Sequence, residues 1–153
     1  MLSEQNFEVL ARSEWLDALR DLSICCADDD PCDAEDRVRE LNALLSMVPD
    51  EALSHGLRPI RAVRLEELLG VGACENAVMA MFEDGSGFLV SRSGDGHSLA
   101  TIALPGSIHE RSGAGATPAL ALVGAVALFL SNANALRRAP VRRSKVAVRP
   151  ALH

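Results

Sequence analysis

Aromatic side chains are scarce in this sequence of 153 residues, which contains one Trp, four Phe and no Tyr. Trp and Tyr are the residues that most often anchor protein interfaces and stack on nucleic acid bases. Base recognition by aromatic stacking is therefore disfavoured, and the core must be built mainly from Leu, Val and Ala. The length is sufficient for one domain with a substantial core.

The first residues predict no secretory signal, because "MLSEQNFEVL" has neither a basic segment nor a long apolar run. We therefore expect a cytoplasmic protein. Its four cysteines should stay reduced there, without a disulfide framework.

Basic residues are few in the first part of the chain and concentrated at its end. Residues 1–60 contain 14 acidic and 5 basic side chains, whereas residues 137–153 contain 6 basic and no acidic ones. Acidic surface repels phosphates, so only the C-terminal segment favours a polyanion. The candidate polyanion-binding residues are Arg137, Arg138, Arg142, Arg143, Lys145 and Arg149.

No apolar run reaches the roughly twenty residues that a transmembrane helix needs. The longest, Ala119 to Leu130, has twelve residues, and Thr117 with Pro118 before it is a typical helix start. Arg137 and Arg138 would suit the flank of a membrane anchor, which keeps that alternative open. The composition nevertheless favours a buried core helix over 117–138.

Helical periodicity predicts three further helices. Trp15, Leu19 and Leu22 form one stripe, with Ser3 as a candidate cap and an end near "CCADDDPCD". A second helix is predicted from Asp33 to Pro49, and a third over 61–70.

Shorter apolar runs joined by Asp-Gly and Ser-Gly turns predict a three-stranded antiparallel β-meander over 76–104. Its strands are "NAVMAMF", "FLVSR" and "HSLATIAL", and a flexible loop, "PGSIHERSGAGA", follows. The predicted fold class is α+β, with N-terminal helices, the meander and an apolar C-terminal helix packed on the sheet. We expect one domain over residues 1–138 (helical over 1–70) and a basic flexible tail over 139–153.

"LNALLSMVPDEAL", the strand-rich middle and "GATPALALVGAVALFL" together resemble a group of small phage and prophage proteins that are similar to the phage ABA-sandwich domain group. The resemblance covers roughly residues 41–136, and its specific part is Gly115 to Leu122. It implies a layered domain of unknown function in a phage context, with no catalytic residues to carry over. The chain departs from the group in lacking a Trp after "VP" and in having an arginine-rich tail.

Catalytic and metal-binding patterns are weak. Asp95, His97 and Ser98 are too close in sequence to converge as a triad. Cys25, Cys26 and Cys32 lie near aspartates, but a zinc site would need His55 or Cys74 as a fourth ligand. We predict no catalytic residues, no cofactor and no metal.

The sequence therefore predicts a non-enzymatic interaction protein that binds a host or phage protein. Its acidic surface could imitate nucleic acid and inhibit a nucleic-acid-targeting defence effector. The candidate partner-binding residues are Asp28, Asp29, Asp30, Asp33, Glu35 and Asp36. A tail-anchored membrane protein and a nucleic-acid accessory protein acting through the tail are the alternatives. A homo-oligomer is compatible with all three hypotheses.

Overall fold

The computed structural model describes residues 11–136 of the chain. This part contains five α-helices: α1 (Arg12–Asp28), α2 (Ala34–Ser46), α3 (Ala62–Gly70), α4 (Cys74–Met79) and α5 (Pro118–Leu136). The strands β1 (Gly87–Arg92), β2 (Ser98–Ala103) and β3 (Glu110–Gly115) form an antiparallel sheet in the order β1-β2-β3. Short 3-10 helices span Pro31–Asp33 and Glu51–Ser54. The predicted α+β class with a three-stranded meander is confirmed.

The first two helices form where the apolar stripes predicted them. Trp15, Leu19 and Leu22 of α1 are fully buried, as are Val38 and Leu41 of α2. Helix α1 ends at Asp28, within the predicted end segment "CCADDDPCD", and Cys26 extends its buried stripe by one turn.

Helix α5 is the centre of the core. The Thr117 hydroxyl accepts a hydrogen bond from the Leu120 amide at 3.1 Å, which confirms the predicted start. Helix α5 lies between α1 and the sheet, and every residue from 119 to 127 is buried. Within residues 11–136, no helix combines the length and the apolarity needed to cross a membrane.

The strand predicted over 76–82 is wrong. Helix α4 occupies Cys74–Met79, and turns follow it. The buried side chains Ala77, Val78 and Met81 lie at positions i, i+1 and i+4, which is helical spacing. In such a short apolar run the two periodicities are hard to tell apart, and packing against α5 decides for the helix.

The bounds of the meander, 76–104, are therefore also wrong, since the sheet spans 87–115. Its third strand, Glu110–Gly115, lies in the segment predicted as a flexible loop. Gly113 and Gly115 gave that segment a loop composition, but the segment pairs with β2 as a strand. Glycine is required at both positions because α5 passes too close for a side chain. A Cβ atom on Gly113 would lie 2.4 Å from the backbone nitrogen of Ala125.

Some predictions fall outside the described residues. These are the cap at Ser3, the domain limits at residues 1 and 138, and the tail over 139–153.

Candidate functional site

The sheet has one covered face and one open face. Ser98, Ala100 and Ile102 of β2 are buried on the inner face, against which α5 packs. The alternate residues of each strand point the other way. From the strand register, the outer face consists of Gly87, Leu89, Ser91, Leu99, Thr101, Ala103, Glu110, Ser112 and Ala114.

The outer face is apolar at its centre and nearly free of charge. Leu89 is 68% exposed and Leu99 is 49% exposed, and Glu110 is the one ionisable residue on this face. The hydroxyls of Thr101 and Ser112 lie 2.7 Å apart and satisfy each other across β2 and β3. The face can therefore be covered by another molecule with little desolvation cost.

The predicted acidic surface lies at the junction of α1 and α2. In the described part of the chain, arginine side chains form ion pairs with some of its carboxylates and leave the others unpaired. Arg37 Nε donates to Asp29 at 2.5 Å, and its Nη1 donates to Glu40 at 2.8 Å. These bonds raise the pKa of the Arg37 guanidinium. Asp29 is thus neutralised by an ion pair and is not available to a partner.

Arg39 neutralises a second part of the same surface. It donates to Asp36 at 3.0 Å, lies 3.7 Å from Glu35, and forms a two-bond pair with Glu66 on α3. The pair with Arg39 lowers the pKa of the Glu66 carboxyl. Sequence reasoning missed the roles of both arginines, although the i, i+3 and i, i+4 spacings within α2 could have indicated the local pairs.

The remaining predicted residues, Asp28, Asp30 and Asp33, form no ion pair with any residue from 11 to 136. Asp28 and Asp30 are exposed, and Asp33 is half-buried. Three of the six predicted acidic residues therefore remain available to a basic partner.

The cysteines named for a zinc site do not converge. Cys26 is buried in the core, Cys32 is exposed, and His55 lies beside Asn134 near the end of α5. Within the described range, the ligand atoms of Asp30, Cys32 and Asp33 lie within 4.8 Å of one another. The amino end of α2 is adjacent, and its dipole disfavours a cation there.

Burial raises the pKa of the Cys26 thiol to about 12, and the carboxylate of Asp29 adds to the effect. From the ordinary value of 9.0 upward, the unfolded chain loses this proton while the native chain keeps it. Unfolding then releases a proton, so the free energy of unfolding should fall with rising pH, by about 1 kcal/mol per pH unit. Urea unfolding between about pH 8 and 10.5 measures this slope.

Cys26→Ala should flatten this pH dependence, whereas the exposed Cys32→Ala should not. The absence of Tyr leaves few other groups that titrate in this range. An unchanged slope in Cys26→Ala would contradict the assignment.

The segment around Asp95 forms the β1–β2 turn. Asp95 Oδ1 accepts hydrogen bonds from the Ser93 hydroxyl and from the His97 amide, and these bonds lower the pKa of the Asp95 carboxyl. Ser98 is buried on the inner face, whereas Asp95 and His97 are exposed. The three residues therefore do not converge on a common reacting position.

The candidate polyanion-binding residues of the tail, 137–149, lie outside the described residues. The residues just before them are well anchored: the Asn134 side chain donates to the Leu53 carbonyl at 2.9 Å and to the Leu130 carbonyl at 2.8 Å.

Together, the fold and these surfaces define an α+β domain with an open sheet face and a partly neutralised acidic corner. The acidic corner is the surface at the junction of α1 and α2 formed by Asp28, Asp29, Asp30, Asp33, Glu35 and Asp36. No protein-family model, no curated protein and no solved structure matches the chain. The resemblance to the phage group therefore rests on the sequence alone.

Proposed function

We propose that the chain is a non-enzymatic, cytoplasmic interaction protein that binds another protein through the outer face of its sheet. The observation that carries this proposal is the exposure of Leu89 and Leu99, 68% and 49%, on a face with a single carboxylate. Apolar residues with few charges among them are typical of the buried centre of protein interfaces.

The charge of the domain indicates the chemistry of the partner. Residues 11–136 contain 19 acidic and 9 basic side chains, a net charge of −10. A partner that presents an apolar centre inside a basic rim would be attracted over a distance and would match this face on contact. The phage setting, and a host or phage origin of the partner, follow from the resemblance.

A second candidate function uses the acidic corner. Asp28, Asp30 and Asp33 have no cationic partner among residues 11–136, so they could imitate the phosphates of a nucleic acid toward a basic protein. Inhibition of a nucleic-acid-targeting defence effector would be one outcome of such binding.

The two surfaces can be separated by one pull-down from nuclease-treated host lysate without detergent. We expect Leu89→Glu with Leu99→Glu to reduce capture of the partner at least tenfold, because about 1.4 kcal/mol of lost contact suffices for that factor. Asp28→Asn with Asp30→Asn and Asp33→Asn should leave capture within about twofold.

Val63→Glu with Val71→Glu is the matched control, because Val63 and Val71 are 66% and 79% exposed but lie on and after α3, away from the sheet. If the aspartate variant loses capture and the leucine variant keeps it, the acidic corner is the binding site. Capture by the unmodified chain that occurs in untreated lysate but not after nuclease treatment would instead favour the accessory role of the basic tail.

A further inference from the structure

A groove with an acidic rim lies beside the carboxyl end of α5. It consists of two adjoining hollows, of about 320 Å³ and 280 Å³, that share Gly56, Arg58 and Glu83 as lining residues. Its apolar lining includes Leu57 and Met81, which are 2% and 1% exposed.

The charges along this groove are unbalanced. Glu51, Glu83 and Asp84 line it with one cation, Arg58. None of the four forms an ion pair with another residue from 11 to 136, in contrast to the acids bound by Arg37 and Arg39. The groove therefore presents a net charge of −2 to whatever enters it.

Gly56 holds one of these carboxylates in position. Its φ of +89° lies in the region that favours glycine, and a Cβ atom there would lie 2.0 Å from Oε1 of Glu83. The absent side chain lets the Glu83 carboxylate lie directly against the backbone between the two hollows.

The described part of α5 ends close to this groove. Ser54 and Gly56 line it, and His55 between them lies 3.3 Å from Asn134, measured from Nε2 to Oδ1. The Asn134 side chain also donates to the Leu53 carbonyl. The described part of α5 ends at Leu136, two residues after Asn134. Arg137, the next residue in the sequence, opens the segment with six cations and no acid.

We propose that residues 137–145 of this same chain occupy the groove, with their arginines against Glu51, Glu83 and Asp84. Nine residues span up to about 30 Å when extended, which is ample for a groove that begins beside α5. Pro140 and Val141 supply the apolar atoms for its floor. This inference is independent of the proposed function, which uses the outer face of the sheet.

Brief trypsin digestion of the full chain, followed by mass spectrometry, tests the proposal through the rate of cleavage after Arg142 and Arg143. We expect Glu51→Gln with Glu83→Gln and Asp84→Asn to speed this cleavage about tenfold, because several weak ion pairs would be lost together. About 0.5 M salt should speed cleavage of the unmodified chain similarly, because it screens exposed charges.

The matched control is Asp28→Asn with Asp30→Asn and Asp33→Asn, which removes the same number of carboxylates near the opposite end of α5 and should leave cleavage unchanged. Equal rates in the unmodified chain and the groove variant would overturn the proposal. Protection that rises with protein concentration would also overturn it, because the groove would then hold the tail of a second copy. All of the substituted groove carboxylates are exposed, so the groove variant should have the same thermal midpoint as the unmodified chain. An unchanged midpoint shows that faster cleavage reflects loss of docking and not loss of folding.

Discussion

Replacement of Gly113 by alanine should destabilise the native state by about 3 kcal/mol or more, because the new methyl group would overlap the backbone of α5. Its Cβ atom would lie 2.4 Å from the nitrogen of Ala125, 2.7 Å from the carbonyl oxygen of Ala121 and 2.9 Å from the carbonyl carbon of Gly124. All three are backbone atoms of one helix, so no side chain can rotate away. The strand and α5 would have to separate.

Gly87→Ala is the matched control, since Gly87 also lies in a strand of this sheet but has no atom within 4 Å of its Cβ position. Urea unfolding followed by circular dichroism should show a change of less than about 1 kcal/mol for Gly87→Ala. Similar free energies of unfolding for the two variants would contradict the close approach of β3 and α5.

Trp15→Ala should cost about 4 kcal/mol, because it removes the largest fully buried side chain and leaves a cavity between α1 and α2. The indole Nε1–H donates to the Leu44 carbonyl at 2.8 Å, which ties the two helices together. Trp15→Phe keeps most of the apolar volume and removes that bond. It should cost about 1–2 kcal/mol, since the Leu44 carbonyl still accepts from the Met47 amide.

Ile24→Ala on the same helix is the control, because Ile24 is 61% exposed and its truncation should change stability by less than about 0.5 kcal/mol. Trp15 is the only Trp in the chain, so all variants should be compared by circular dichroism and not by fluorescence. Equal costs for Trp15→Ala and Trp15→Phe would show that the hydrogen bond, and not the cavity, dominates.

The sequence predicted the elements whose signal is long or local. The stripes of α1 and α2 and the Thr117–Pro118 start of α5 are of this kind, and so are the strands near Phe88 and Leu99. Prediction from the sequence failed where tertiary packing determines the secondary structure. A run of seven residues, 76–82, fits a strand or a helix equally well, and the glycines of β3 read as a loop until α5 lies against them.

The candidate surfaces, too, were predictable from the sequence only where the signal is local. Composition indicated an acidic corner, but it could not show that Arg39 would reach Glu66 on another helix, 27 residues away. The outer face depends on which face of the sheet α5 covers, and the groove joins residues near Glu51, Gly56 and Glu83 that no short motif connects. Such surfaces arise from the fold and leave no local pattern in the sequence.

The position of α5 at the centre of the core has a consequence for biosynthesis. Cys26 packs beside Gly124, so contacts that bury the first helix join residues about a hundred positions apart. During translation, the apolar stripe of α1, which ends at Asp28, emerges from the ribosome long before α5, which begins at Pro118. The sheet, which ends at Gly115, emerges directly before α5. Closing so long a loop is entropically costly and slows folding. The nascent chain therefore stays incomplete, with apolar surface open to chaperones, until nearly all of the described elements have been made.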